Sequence, residues 1–249
     1  MARYFLEVAY KGTRYSGFQI QENAITVQSE IEQALELIQR QSISLTGSSR
    51  TDAGVHAWQN FFHFDLEESL HPQLLYKLNA VLPCDIVLKA IYPVASEAHS
   101  RFDAVSREYE YYIYKFKDPF RRDTAYYVPY PLDLEALAEA AAIIKEQTNF
   151  AAFSKTNTQV KNFRCSILKS EWREENGLLV YNIKGNRFLR GMVRLLTATQ
   201  LKIARGKYNM ADFKKLFETG QKCGFSVPAH GLFLKEVAFP IGHLLNLEK

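Results

Sequence analysis

The amino-acid sequence carries one pattern twice, and this pattern restricts the fold more than any other feature. Segments in which apolar and polar residues alternate predict β-strands, and segments in which apolar residues recur every three to four positions predict α-helices. These segments follow the order β-α-β-β-α-β in each half of the chain. In the second half, two consecutive helices precede the last strand, where the first half has one helix. We predict strands at residues 3–10, 42–46, 59–66, 86–94, 107–116, 166–172, 178–184 and 231–239, and helices at residues 27–38, 72–80, 134–144, 187–204 and 210–220.

The repeated order predicts an α+β protein made of two ferredoxin-like (β-α-β-β-α-β) halves. The first half covers residues 1–104 and the second covers residues 105–249. Only the order of elements is repeated, because the residues of the two halves are not alike. We expect a central cleft between the halves to hold the functional site.

Composition and charge exclude several classes of protein. The formal net charge of the 249 residues is +4, which fits an RNA-binding protein without indicating one by itself. No apolar run approaches the roughly 20 residues that cross a membrane, and the N-terminal residues lack the apolar region of a signal peptide, so we expect a cytoplasmic protein.

The three cysteines form no Cys-x-x-Cys pair and the six histidines are scattered, so no metal site is predicted. No glycine-rich phosphate loop is present either, which predicts activity without a nucleotide or other cofactor.

A loop of small residues between two predicted strands contains the most unusual local sequence. It places one carboxylate, Asp52, two residues after a guanidinium, Arg50. An aspartate in such a loop is ordinarily a turn residue that bonds its own backbone. The composition of the loop therefore leaves both a turn role and a catalytic role open. The complete string is Arg50-Thr51-Asp52-Ala53-Gly54-Val55-His56.

This string resembles the signature of the tRNA pseudouridine synthase A family, in which the aspartate is catalytic. Further motifs resemble that family in the same order along almost the whole chain. They are Tyr10-Lys11-Gly12-Thr13, Gly17-Phe18-Gln19-Ile20-Gln21, Thr26-Val27-Gln28, Leu78-Asn79-Ala80-Val81-Leu82-Pro83, Arg101-Phe102-Asp103-Ala104, Arg107-Glu108-Tyr109, Gly185-Asn186-Arg187-Phe188, Met192-Val193-Arg194 and Pro228-Ala229-His230-Gly231-Leu232. The chain departs from the family pattern at Phe18, where tryptophan is frequent, at Ser49, where glycine is frequent, and at Ala98 and Ser100.

The resemblance implies a pseudouridine synthase fold and assigns three catalytic residues. Asp52 corresponds to the catalytic aspartate, Tyr109 to the active-site tyrosine and Arg194 to the active-site arginine. It also implies a tRNA substrate modified at uridines 38 to 40 of the anticodon arm, a homodimer and no cofactor.

These residue types suit the reaction that the resemblance implies. Conversion of uridine to pseudouridine breaks the N-glycosidic bond, rotates the base and joins it again through C5, so no electrons or ATP are consumed. An ionised Asp52 can attack the sugar or the base, or stabilise positive charge on the sugar. Tyr109 can stack on an extruded base, and either its hydroxyl or a water can remove the C5 proton. Arg194 would balance the charge of Asp52.

Positive charge near these motifs predicts where RNA is bound. On the predicted helix 187–204, the spacing of Arg187, Arg190 and Arg194 gives a basic stripe suited to phosphates, although a solvated charged face has the same spacing. Further cations in the second half are Lys155, Lys161, Arg164, Lys202, Arg205 and Lys207. The predicted RNA contacts are Arg50, Thr51, Arg101, Arg107, Asn186, Arg187, Phe188 and Arg190.

Two other functions use similar residues. A catalytically silent RNA-binding protein or tRNA chaperone would use the same cleft and basic surface without chemistry. A carboxylate-dependent glycosidase would require a second acidic residue as general acid, and no acidic residue occupies a matching motif. Binding assays combined with nucleoside analysis distinguish these functions from uridine isomerisation.

Overall fold

The computed structural model describes residues 1–67, 69–156 and 162–244 of an α+β protein. The chain divides into two compact units. The first unit consists of Met1–Val105 and the segment that starts at Leu234, and the second unit consists of Ser106–Phe233. Five of the strand pairs are antiparallel, and one short pair is parallel. No helix in the described ranges is both long enough and apolar enough to cross a membrane.

The first unit has three long antiparallel strands, in which β1 (Ala2–Tyr10) lies between β3 (His56–Leu66) and β4 (Ile86–Val94). Helix α1 (Val27–Gln39) begins with a capping box. In it, the Thr26 hydroxyl accepts from Ser29 N–H at 3.1 Å and the Ser29 hydroxyl accepts from Thr26 N–H at 3.0 Å. Ile31 and Leu35 of this helix are fully buried, which fixes the helix against the unit's core. The elements are β1 (Ala2–Tyr10), α1 (Val27–Gln39), β2 (Thr46–Gly47), β3 (His56–Leu66), α2 (Leu74–Val81) and β4 (Ile86–Val94).

The predicted strand at 42–46 is wrong, because only Thr46–Gly47 pairs with β3. Side chains of α1 bind the backbone that a strand would have used. Leu45 N–H donates to Glu32 Oε1 at 2.8 Å, and Gln28 Nε2 donates to the Leu45 carbonyl at 2.8 Å. With both backbone groups of Leu45 satisfied in this way, no strand ladder is needed there.

In the sheet of the second unit, β8 (Leu178–Gly185) lies between β5 (Ser106–Tyr114) and β7 (Ile167–Glu175). The short strand β6 (Tyr126–Tyr127) pairs in parallel with β5. The β7–β8 hairpin turns at Asn176 and Gly177, with φ angles of 51° and 74°. Positive φ at both central positions is the requirement of the tight hairpin turns that asparagine and glycine favour. The elements are β5 (Ser106–Tyr114), β6 (Tyr126–Tyr127), α3 (Leu134–Glu146), β7 (Ile167–Glu175), β8 (Leu178–Gly185), α4 (Met192–Ala204), α5 (Met210–Thr219) and β9 (Leu232–Ala238). Most of β9 belongs to the first unit, where it lies beside β3.

The predicted helix 187–204 begins at Met192 instead. Gly191 precedes it with φ 74°, a left-handed conformation that interrupts a right-handed helix. The carbonyl of Arg190 accepts from Lys155 N–H at 3.2 Å and so is held by a bond outside any helix. The apolar pattern misled the prediction because Leu189 is buried although it precedes the helix.

The prediction that Arg187, Arg190 and Arg194 form a basic stripe on one helix is therefore wrong. Arg187 and Arg190 lie in the segment between β8 and α4, and only Arg194 is on the helix. The other strands and helices that we predicted are present, with ends that differ by at most three residues. Among the additional predicted cations, Lys161 lies outside the described residues.

Candidate active site

Asp52 lies in the loop between β2 and β3, residues 48–55, which we call the Asp52 loop. Asp52 is half-buried, whereas Arg50 and Ala53 on either side are exposed. A tight turn follows Asp52, in which Val55 N–H donates to the Asp52 carbonyl at 3.1 Å. Gly54 takes φ 77° in the third position of this turn, where type II turns require a positive φ. The backbone of this aspartate thus takes part in a turn, as its residue type predicts.

Three buried side chains hold the part of the loop that precedes Asp52. The Tyr10 hydroxyl lies 2.8 Å from Thr51 Oγ1. Asn60 Nδ2 donates to the Ser49 carbonyl at 2.8 Å and to the Tyr10 hydroxyl at 3.2 Å. Because Tyr10, Thr51 and Asn60 are all buried, water does not compete for these bonds.

Two glycines in the segment after β1 allow the backbone of that segment to lie close to the Asp52 loop. A Cβ on Gly12 would lie 2.0 Å from the Val55 carbonyl oxygen, a distance no side chain tolerates. Gly17 has φ 109°, and a Cβ there would lie 3.1 Å from the Thr51 carbonyl oxygen. That carbonyl accepts from Phe18 N–H at 3.2 Å. The glycines of the opening motifs therefore serve the Asp52 loop, and Asp52 lies between two backbone contacts.

Arg101 is exposed on a turn that is tied to the same part of the first unit. The Ser100 hydroxyl donates to the Thr46 carbonyl at 3.0 Å, in the short strand that leads into the Asp52 loop. The His99 ring accepts from Arg101 N–H at 3.1 Å, and burial lowers the pKa of His99. The neutral ring keeps the lone pair that this bond requires. The Arg101 guanidinium lies 5.6 Å from the centre of the exposed Phe102 ring.

In the second unit, Tyr109 lies half-buried on β5 and contacts Phe188. The two rings meet edge to face, with centroids 5.1 Å apart. Nearby, Arg107 Nη1 donates to the Asn186 carbonyl at 3.1 Å. Asn186 is itself fixed, because its Oδ1 accepts from Ser166 N–H at 2.8 Å. Four of the predicted site residues thus form one cluster where β5 and the end of β8 lie side by side.

Arg194 lies half-buried in the first turn of α4, where its Nε donates to the Val227 carbonyl at 2.9 Å. The hydroxyl of the buried Tyr111, which shares the β5 face of Tyr109, donates to the Pro228 carbonyl at 2.9 Å. Burial raises the pKa of Tyr111 far above its ordinary value, and the charge of Arg194 partly offsets this rise. Arg194 and the Tyr109 strand are therefore joined through Tyr111 and the closing motif at Pro228.

Several of the additional cations have structural partners. Lys202 Nζ lies 3.3 Å from the centre of the Phe225 ring, and the Arg205 guanidinium lies 3.9 Å from that of Tyr130. These cation–π contacts give both side chains a structural role that does not require RNA. Within the described residues, no group of three or more His, Cys, Asp or Glu side chains is arranged to hold a metal ion.

Comparison with known proteins identifies the family. A model described as tRNA pseudouridine synthase matches residues 7–103 and 147–240. Proteins called tRNA pseudouridine synthase A from Azobacteroides pseudotrichonymphae and Parabacteroides distasonis are both 43% identical to the chain, over 96% of it and over 98% and 97% of their own lengths. The protein of that name from Staphylococcus aureus is 34% identical over 98% of this chain and 93% of its own.

The chain belongs to the tRNA pseudouridine synthase family. Asp52, Arg101 and Arg194 lie within the residues that the family model matches, whereas Tyr109 lies between the two matched ranges. The family resemblance inferred from the signature and the other motifs is thereby confirmed.

Sequence reasoning missed two residues that contact the Asp52 loop of this pseudouridine synthase. Tyr10 was part of a quoted motif but received no role. Asn60 gave one weak signal, since it is an amide in an otherwise largely aromatic strand segment and is fully buried. A buried amide requires hydrogen-bond partners, and those partners proved to be Tyr10 and Ser49.

Proposed function

We propose that this protein isomerises uridine to pseudouridine in the anticodon arm of tRNA, at positions 38 to 40, with Asp52 as the catalytic carboxylate. Membership of the tRNA pseudouridine synthase family is the observation that carries the proposal. Support comes from the half-buried position of Asp52 on a loop whose residues before and after it are hydrogen-bonded within the first unit.

Asp52 acts on the uridine after the nucleotide has been extruded from the RNA helix. Its carboxylate attacks the sugar or the base, or stabilises the electron-poor sugar while the N-glycosidic bond is open. The detached base then rotates and bonds through C5, the C5 proton leaves, N1 takes up a proton, and any bond to Asp52 is broken so that the carboxylate is regenerated. The total number of bonds and electrons is unchanged, so the proposed reaction consumes no cofactor.

Tyr109 and Arg194 act on the same uridine as Asp52. Tyr109 offers a ring that is half-exposed and held at its side by Phe188, which suits stacking on a flipped base. Its hydroxyl, or a water, accepts the C5 proton. Arg194 is oriented by the Val227 carbonyl and supplies positive charge that balances the charge of Asp52.

The proposed RNA contacts are mainly exposed or half-exposed, as phosphate binding requires. Arg50, Arg101, Asn186 and Arg190 are exposed, and Arg107, Arg187 and Phe188 are half-exposed. The positive charges of the five arginines in this set bind the backbone without reading sequence. Thr51 is the exception in this set, because its side chain is buried and its hydroxyl is bonded within the protein.

Four further features stay proposals that rest on the sequence pattern and the resemblance. They are the two ferredoxin-like halves at residues 1–104 and 105–249, the central cleft between them, the homodimer and the cytoplasmic location.

Incubation of the purified protein with unmodified tRNA transcripts tests the proposed function. We expect pseudouridine at positions 38 to 40 after nucleoside mapping, and none in a matched transcript with cytidine at those positions. Binding without any pseudouridine would identify a silent RNA-binding protein or chaperone. Release of free uracil would identify a glycosidase.

A further inference from the structure

We propose that Tyr10, Thr51 and Asn60 form a buried hydrogen-bonded relay that positions Asp52 for the chemical step. The inference rests on the proposed function of Asp52 and adds three residues that act through it. None of the three needs to touch the RNA, since the Thr51 side chain and its two partners are buried.

Asn60 anchors the relay through three hydrogen bonds. Its Nδ2 donates one hydrogen to the Ser49 carbonyl at 2.8 Å and the other to the Tyr10 hydroxyl at 3.2 Å, while its Oδ1 accepts from Phe61 N–H at 2.9 Å. The Tyr10 oxygen thus accepts from Asn60, and it shares a second hydrogen bond of 2.8 Å with Thr51 Oγ1, in which either hydroxyl can donate.

The relay holds the chain at two points that lead into Asp52. Ser49 is held through its carbonyl, and Thr51 is held through its hydroxyl directly before Asp52. The Tyr10 ring is itself packed against Phe18, with centroids 5.8 Å apart and planes 29° apart. Tyr10 and Asn60 belong to the paired strands β1 and β3, so the relay ties the loop to two hydrogen-bonded strands of the first unit.

Loss of the relay should change the position of the carboxylate more than it changes RNA binding. A displacement of about 1 Å at a reacting group costs about a hundredfold in rate. RNA affinity is spread over many phosphate contacts, and such contacts tolerate small displacements of a neighbouring loop. The expected signature is a reduced single-turnover rate at nearly constant affinity.

The test measures single-turnover release of tritium from C5-labelled uridine in saturating tRNA, together with the Kd for tRNA. We expect Tyr10→Phe to lower the rate about tenfold and Thr51→Val about ten- to a hundredfold, with Kd within about threefold of wild type. Thr51→Ser keeps the hydroxyl and should restore most of the rate that Thr51→Val loses.

Two reference variants separate positioning from stability and from the proposed function. Tyr181→Phe removes another buried tyrosine hydroxyl, which lies 2.9 Å from Ser170 Oγ in the second unit, and should lower the melting temperature but not the rate. Asp52→Asn in the same assay reports the role of Asp52 itself. If Tyr10→Phe and Thr51→Val lose no more rate than Tyr181→Phe while Asp52→Asn is inactive, the relay is wrong and the proposed function stands. An active Asp52→Asn protein would overturn both.

Discussion

The Asp52 loop and the segment from Asn186 to Gly191 are both irregular connections with predicted site residues, yet they are held in different ways. The Asp52 loop receives hydrogen bonds from buried side chains and lies against glycine backbone. In the other segment, hydrogen bonds hold Asn186 at its start and Arg190 near its end, and Arg190 is exposed. A group that reacts with a base requires a fixed position, whereas a cation that binds phosphate keeps most of its attraction when it moves. The difference fits chemistry in the first region and affinity in the second.

Gly12→Ala should damage the Asp52 loop most among variants that leave all its polar groups in place. The added methyl would lie 2.0 Å from the Val55 carbonyl oxygen, so the turn after Asp52 must shift. We expect the single-turnover rate to fall by at least about a hundredfold. Gly224→Ala is the matched control, because no atom lies within 4 Å of its added methyl. A Gly12→Ala protein with the rate and melting temperature of the control would show that the close approach is not required.

Replacement of both Arg187 and Arg190 by alanine should change affinity and leave the chemical step nearly intact. Each phosphate contact contributes about 0.9 to the slope of log K against log salt, so the slope should fall by about two. The control is the double variant Lys214→Ala and Lys215→Ala, whose charges lie near Glu139 and Asp212 on the surface of the same unit. An equal change of slope in both double variants would show that the arginines have no special contact with RNA.

Ser49→Ala should have the smallest effect of these variants. It should raise the free energy of unfolding, whereas Ser170→Ala should lower it. Within the described part of the chain, Ser49 Oγ is buried without a hydrogen-bond partner. Its removal should raise the free energy of unfolding by up to about 1 kcal/mol. Ser170→Ala removes a buried hydroxyl that is bonded to Tyr181 and should lower it by about 1 kcal/mol. Urea unfolding measures both, and a loss in Ser49→Ala as large as in Ser170→Ala would show that Ser49 Oγ is hydrogen-bonded in the folded protein.

The sequence predicted features that depend on local pattern. The alternation in β1, the spacing in β4 and the capping threonine of α1 are local signals, and these elements were confirmed. The role of Asp52 stays a prediction, and it came from the family signature and not from its local chemistry.

The errors arose where distant residues decide the structure. Leu45 alternates like a strand residue, but its backbone is bound by Glu32 and Gln28 from α1. Leu189 extends the apolar pattern of α4 because it is buried, although Gly191 begins the helix later. The pairing of Tyr10 with Thr51 spans 41 positions, so no local pattern indicates it.

The central claim is that the Asp52 carboxylate performs the isomerisation. Asp52→Asn keeps the size of the side chain and removes its negative charge. In single-turnover tritium release from C5-labelled uridine in tRNA, we expect a rate loss of at least about a thousandfold with only a several-fold change in Kd, as for the loss of a nucleophile in other enzymes. A folded Asp52→Asn protein that binds tRNA and releases tritium at the wild-type rate would contradict the claim.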